Sequence, residues 1–256
     1  MSYKNILVEK ENGVAKLTIN RPPFNVLDIE TMVECHDALE EFNKDSEIKL
    51  VLFAAAGNKA FCAGVDVADH TPDKVNKMFE SVYGIINSLL YLSKPSIAVV
   101  NGIALGGGCE VVMACDMAIA TTKSSFGQPE ISVGVYPGIA TVLLPRVIPQ
   151  KKAMELIYSG ESVSAQEALS LGLISKVVPE EDLDKEVREF TKKFLNKSGV
   201  ILSLTRKSII SAFDKSIADG FAISDQIYLD ELMKTEDAHE GIKAFLERRK
   251  PVWKNK

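Results

Sequence analysis

Between Asn101 and Asp116 the chain reads N-G-I-A-L-G-G-G-C-E-V-V-M-A-C-D, and few folds can hold such a stretch. An apolar, strand-like run, Ile97–Val100, leads into it. Three consecutive glycines let backbone N–H groups approach a ligand where a side chain would intrude. They open onto a helix start, where unpaired N–H groups and the helix dipole favour negative charge. The helix that follows has no polar face across Val111–Cys115, so it is expected to be buried on all sides. Its first turn carries Glu110, and a carboxylate buried in that way is costly unless something is paired with it. That combination marks a site.

The rest of the composition narrows the field. With 256 residues, 46% hydrophobic and 25% charged, the chain can bury one large core. A formal charge of −5 offers no basic field for nucleic acid; the one short basic cluster, Arg248–Lys250, lies at the C-terminus. Cys35, Cys62, Cys109 and Cys115 show no C-x-x-C spacing and are expected to be reduced, in a cytoplasmic protein. Met1–Glu9 has no apolar signal core, and Asn101 interrupts the longest apolar stretch, so no membrane span is expected.

Along the chain, Ile6–Glu9 and Val14–Asn20 alternate apolar and polar around Asn12-Gly13, predicting a hairpin. Ile29–Asn43 has helical spacing, Lys49–Ala55 is a buried strand, 57–64 a loop and Val75–Leu92 a helix. Ile97–Val100 and Met117–Thr121 are further strands, which indicates α/β layering with a partly parallel sheet. The later part is helical: Lys151–Tyr158, a segment opened by the capping-box spacing Ser164–Glu167 and closed by Gly172, then 183–194, 200–213, 217–233 and 237–249. No linker separates tail from body. Residues 1–195 are therefore expected to form the core, and 196–256 a helical appendage of the same domain.

Two loops offer backbone donors, Ala60–Asp66 and Leu105–Gly108. Each follows a buried strand, so both can open on one edge of a sheet, where α/β ligands bind. Two N–H groups aimed at one point make an oxyanion hole, in which one donor is worth roughly 2.7–4 kcal/mol. The same glycines serve equally well to let helix and strand pack closely. Glu130 leaves a turn constrained by Pro129, and on its own pattern it is a solvated turn residue. Asp66, Asp69 and His70 lack further ligands at metal-binding spacing, and Asp66 suits an N-cap. The glycine triplet has neither the P-loop nor the dinucleotide pattern, and no serine has hydrolase context.

These segments resemble the crotonase (enoyl-CoA hydratase/isomerase) superfamily over nearly the whole chain. Ala60–Asp66 is similar to its first oxyanion loop, Asn101–Glu110 to its second, and Phe126–Glu130 to the segment with its second glutamate. Ser164–Gly172 and Gly241–Lys250 resemble later family helices. Within the superfamily, Pro22–Asp28, Gly64–Lys74 and Gln128–Pro137 are most similar to cyclic dienoyl-CoA hydratases. The resemblance implies an α/β spiral of ββα turns with a helical C-terminal appendage, assembled as trimers or dimers of trimers.

It implies also a lyase that needs no cofactor and takes a CoA thioester. Glu110 and Glu130 would be catalytic, the N–H groups of Val65 and Gly107 the oxyanion hole, and Ala63, Asp66 and Arg248 contacts to CoA. Where many members continue after Pro137-Gly138 with small residues and a Gln-Arg pair, this chain has Ile139–Pro145. Pro137, Ile139 and Val142 would then form an apolar wall beside a compact ring. The implied reaction is hydration of cyclohexa-1,5-diene-1-carbonyl-CoA to 6-hydroxycyclohex-1-ene-1-carbonyl-CoA, in anaerobic aromatic degradation. A straight-chain 2-enoyl-CoA hydratase shares both glutamates. An isomerase needs one acid/base group, and a non-catalytic acyl-CoA-binding protein needs neither.

Overall fold

The hairpin forms where the Asn-Gly pair predicts it. In the computed structural model, which describes residues 3–256, β1 (Ile6–Glu11) and β2 (Val14–Ile19) pair antiparallel. Asn12 and Gly13 both take positive φ, 51° and 80°, as a two-residue turn matching the strand twist requires. α1 (Ile29–Lys44) starts at Asp28, whose carboxylate accepts the Thr31 N–H at 2.8 Å, and it buries Met32, Cys35, Leu39 and Phe42 along one stripe. β3 (Leu50–Ala55) is buried at all six positions, as its uninterrupted apolar run predicts for a strand covered on both faces.

The chain continues through β4 (Ala60–Cys62), α2 (Val75–Leu90), β5 (Ser96–Val100), β6 (Ile103–Leu105), α3 (Gly107–Ala114), β7 (Met117–Thr121) and β8 (Ser125–Gly127). Then come α4 (Ala140–Val147), α5 (Gln150–Ser159), β9 (Ser162–Ser164), α6 (Ala165–Leu171), β10 (Lys176–Val178) and α7 (Leu183–Leu195). The larger sheet has the order β1-β2-β3-β5-β7-β10 and is parallel after the first pair. α1 and α2 cover one face with the main core, while Leu183, Val187, Phe190 and Phe194 of α7 pack on Leu50, Leu52, Ile97 and Ile119 on the other. The α/β spiral with a helical tail is the fold expected from the sequence.

A second sheet, of order β4-β6-β8-β9, positions the site. β4, β6 and β8 run parallel and β9 antiparallel. Its strands are three residues each, too short to show alternation, so the segment 57–64 that pattern assigns to a loop contains β4. α4 holds Pro145 inside it. Proline is tolerated there in the last turn of an eight-residue helix, at the cost of a backbone donor.

The tail consists of α8 (Gly199–Ala212), α9 (Ile217–Asp230) and α10 (Glu236–Leu246). Neither core cluster has a buried member beyond Val187, so polar contacts do much of the docking. Arg206, 7% exposed, donates from Nε to Asp116 Oδ2 at 2.8 Å, from Nη2 to the Leu89 carbonyl at 2.8 Å, and from Nη1 to the Leu90 and Leu92 carbonyls. It thereby satisfies the orphan carbonyls at the end of α2. Among the described residues no helix is long and apolar enough to cross a membrane. Arg206→Ala should lower the unfolding free energy by about 3 kcal/mol, the low end for breaking a buried pair because Asp116 is partly solvated. The drop would be read as a fall in urea midpoint at unchanged slope.

Candidate active site

Parallel pairing sends three chain segments to one edge of the small sheet. Cys62 lies opposite Ala104, and Leu105 opposite Gly127. The residues after each strand, Ala63–Val65, Gly106–Gly107 and Gln128–Glu130, therefore emerge side by side. A Cβ built on Gly107 would lie 3.4 Å from the Val65 nitrogen and 2.8 Å from Val65 Cγ2, so the two loops touch. The neighbouring N–H groups are satisfied: Ala63 donates to the Phe24 carbonyl at 2.9 Å, Asp66 to Leu27 at 2.9 Å, and Gly106 to Gly127 at 3.0 Å. Among the described residues the Val65 and Gly107 N–H groups donate to nothing. Two open donors meeting across a loop contact, one at a helix N-terminus, have the arrangement that can stabilise negative charge on a ligand oxygen.

The glycines play different parts at different positions. Gly108 packs against Cys62, whose carbonyl and Cβ a side chain would strike. Gly106 belongs to the site. It takes φ +50°, and a Cβ there would stand 2.6 Å from Glu130 Oε1. Only glycine combines that backbone with that proximity.

α3 is buried at all eight positions, as its apolar sequence predicts. Glu110, 4% exposed, is fixed by an element that pattern did not reveal: the start of α4, where the Ala140 N–H donates to Oε1 at 2.9 Å. Burial pushes its pKa up to about 7; the Ala140 and Ile139 amides pull it down, and the Glu130 charge pushes it up. The two residues, twenty positions apart in sequence, both adjoin Gly106: the Glu110 N–H donates to its carbonyl at 2.9 Å, and a Cβ built on it would stand 2.6 Å from Glu130 Oε1. Glu130 is half-buried in the 3-10 turn Pro129–Val133 rather than solvated. Burial raises its pKa, while its own backbone N–H and His70 lower it. Gln128, 1% exposed, supports it. The amide orientation that satisfies Gln128's surroundings turns the nitrogen toward Glu130, 3.3 Å from both oxygens.

The remaining candidates are distributed unevenly. Asp66 caps a short 3-10 turn, accepting the Ala68 N–H at 3.0 Å. Ala63 is half-buried in the first loop, with its N–H already engaged. Pro137 is buried, and Ile139, 6% exposed, joins the core and turns its backbone to Glu110. Val142 is exposed. The Phe79 ring, stacked on Tyr83, lies 3.5 Å from a Cβ built on Gly138, which adds an aromatic face that the sequence reading missed. Arg248 sits after α10 with φ 56°, exposed, and no site residue is among its hydrogen-bond or ion-pair partners.

A fold of two sheets with open amides and two buried or half-buried carboxyls at one edge defines an α/β class whose site can stabilise developing negative charge and move protons. Comparison with known proteins gives the family. The enoyl-CoA hydratase/isomerase family model matches residues 9–256, and the chain belongs to that family, within the crotonase superfamily. It is 35% identical to a short-chain-enoyl-CoA hydratase of Clostridium acetobutylicum, over 98% of this chain and 97% of that one. It is 36% identical to a crotonyl-CoA hydratase of Syntrophomonas wolfei, over 98% of each. The crystal structure of an enoyl-CoA hydratase from Bacillus anthracis superposes with a TM-score of 0.94 at 33% identity, covering 99% of this chain and 100% of that one.

Glu110 carries a stability signature. A carboxyl whose pKa is raised by folding stabilises the protein fully below its unfolded pKa, and that contribution is lost as pH rises through the folded value, here about 7. Glu110→Gln should therefore gain on the wild type between about pH 4.5 and pH 7, reaching ~3 kcal/mol above that window. Denaturant melts across pH would show the gap opening; a gap independent of pH would contradict the placement of this carboxyl.

Proposed function

We propose that the chain is a hydro-lyase that adds water to a conjugated enoyl-CoA thioester. The observation that carries this reading is the meeting of two unpartnered amides, Val65 and Gly107, with two carboxyls of raised pKa. The thioester oxygen binds between the amides, which stabilise the enolate as it forms. Water adds at the far end of the conjugated system. One carboxylate takes a proton from that water, and the other carboxyl holds it and delivers a proton to carbon. Proton transfer of this kind needs groups that titrate near working pH, and burial brings both carboxyls toward it. Ala63 and Asp66 border the entry beside the first loop, where CoA would lie, and Arg248 would reach CoA phosphate from the tail.

For the acyl group we favour the compact ring of cyclohexa-1,5-diene-1-carbonyl-CoA, giving 6-hydroxycyclohex-1-ene-1-carbonyl-CoA as in anaerobic aromatic degradation. Its support is the sequence of Gly64–Lys74 and the Phe79 ring, 3.5 Å from a Cβ built on Gly138, next to the buried Pro137. The names of the two relatives above favour a second reading, a short straight-chain enoyl-CoA. Comparing hydration of the cyclic dienoyl-CoA with that of crotonyl-CoA decides between them: a higher kcat/KM for crotonyl-CoA overturns the ring.

Glu110→Gln or Glu130→Gln should cut turnover at least a hundredfold, the usual scale of a lost general acid or base, while CoA-ester binding by calorimetry stays near wild type. Turnover within a few-fold of wild type in either variant would remove that residue from the mechanism. The tail exposes Phe213, Phe221, Phe245 and Leu246, a surface suited to burial against further copies. We propose a trimer or dimer of trimers, and light scattering should return three or six times the 28.0 kDa chain.

A further inference from the structure

The segment Arg21–Asp28, between β2 and α1, lies along the first loop of the site. Leu27 and Val65 form an isolated parallel β-bridge. The Leu27 N–H donates to the Gly64 carbonyl at 3.0 Å, and the Leu27 carbonyl accepts the Asp66 N–H at 2.9 Å. Three residues earlier, the Phe24 carbonyl accepts the Ala63 N–H at 2.9 Å. The Gly64 N–H donates to Cys62 Sγ at 3.4 Å. From Ala63 to Asp66, the Val65 N–H is thus the donor left open.

The bridge explains why. Along extended backbone, successive residues turn their N–H and C=O groups to opposite sides, and a parallel pairing uses the groups that flank the bridged residue, not its own. With the Gly64 carbonyl and the Asp66 N–H both turned to Leu27, the Val65 N–H faces away from it. Gly107 lies close to that nitrogen, its built Cβ 3.4 Å away. The loop cannot set this direction by itself, because Gly64, at φ +115°, has no side chain to restrict it. Leu27 sets it.

Leu27 is held in turn by an amide and a guanidinium. Asn25 is fully buried and takes φ +49°, a conformation asparagine tolerates better than most residues. Its Nδ2 donates to the Ala56 carbonyl at 2.9 Å and the Ala60 carbonyl at 2.8 Å, and its Oδ1 accepts the Arg21 N–H at 3.0 Å. One side chain thus binds the segment to both ends of the connection from β3 to β4, the strand that runs into the first loop. The Arg21 guanidinium grips the two neighbours of Leu27: Nη1 donates to the Val26 carbonyl at 2.6 Å, and Nη2 pairs with Asp28 Oδ2 at 2.9 Å.

We propose that Asn25 is a positioning residue for the oxyanion hole, aiming the Val65 N–H through Leu27, with Arg21 steadying the same segment. Its effect on rate rests on the hydratase reading; its effect on a bound carbonyl rests on geometry alone. A hydrogen bond weakens steeply as its angle closes, so a Val65 amide that drifts loses the thioester oxygen while the rest of the CoA ester stays bound. The loss should therefore fall on kcat and spare KM.

The test uses Asn25→Gly, which keeps the left-handed backbone and removes the amide, and Arg21→Met, which loosens the segment without opening a buried polar gap at Asn25. The probe is butanoyl-CoA carrying 13C at the thioester carbonyl, a saturated ester that cannot be hydrated. Difference infrared spectra should show wild type lowering its carbonyl stretch below the value in water, and both variants returning it toward that value. With crotonyl-CoA or the cyclic dienoyl-CoA, kcat should fall about tenfold or more, with KM within about threefold of wild type. If Asn25→Gly does not fold, Arg21→Met decides by the same outcomes. A carbonyl stretch as low in the folded variants as in wild type overturns the proposal and leaves the hydratase reading intact, even if kcat has fallen. A wild type that lowers the stretch but hydrates no enoyl-CoA, with the lowering lost in the variants, supports the positioning and overturns the hydratase reading. A wild type that leaves the bound carbonyl unshifted overturns both.

Discussion

The parallel pairing of β4, β6 and β8 is the constraint on which the rest of this molecule depends. Three strands of three residues each bury Phe61 and Phe126 in the core, and their register decides which backbone groups meet. With Cys62 against Ala104 and Leu105 against Gly127, the open amides of Val65 and Gly107 and the carboxyl of Glu130 share one edge. A slip of one residue would invert every side chain on the slipped strand. Glycine at 102, 106 and 108 keeps the layers close enough for that pairing; a Cβ on Gly102 would press on the Lys59 carbonyl at 2.6 Å. Chemistry and packing therefore draw on the same residues.

The site is held against an energetic gradient. Two carboxyls near one another and away from water would each be better neutral, and the structure counters with local donors rather than with a buried cation. Glu110 receives the Ala140 amide at 2.9 Å, and Glu130 the Gln128 amide at 3.3 Å. Neutral donors of this kind stabilise an anion without fixing it as one, so a proton can reside on either carboxyl at little cost. A lysine or arginine in the same place would hold its partner ionised through the whole cycle. Stability given up at the site in this way is the usual trade for function.

Much of the arrangement was legible in the sequence, for identifiable reasons. The hairpin, α1, β3 and the buried α3 announced themselves through Asn12-Gly13, through periodic apolar residues and through runs without a polar face. Glu110 stood out because it alone is charged in such a run. Glu130 did not, since a proline-led turn followed by Ile131, Val133 and Val135 has the same pattern whether or not the turn folds over a site; only the β6–β8 pairing brings it to Gly106. The small sheet was invisible because three residues cannot show a period of two. Ala140 was invisible because its contribution is a backbone amide, which no side-chain pattern encodes.

The tail reaches this centre through the opposite end of α3. Asp116 follows that helix and accepts the Ser96 N–H at 2.8 Å, while Arg206 of α8 donates to the same carboxylate and to carbonyls ending α2. One guanidinium thus ties together the start of β5, the exit of α3 and the end of α2. α3 is eight residues long, about 12 Å at the helical rise, and all eight are packed, so it behaves as a short rigid strut. Its exit is clamped by Asp116, and its entry presents the Gly107 amide and Glu110. α2 in turn carries Phe79 over Gly138, just before the α4 amides that hold Glu110. The appendage adds nothing to the main core, but it fixes both helices that frame the site. A site geometry that tolerates errors well below an ångström is served better by such a clamp than by further apolar burial, because a planar guanidinium whose Nε, Nη1 and Nη2 each meet a different acceptor specifies angle as well as distance.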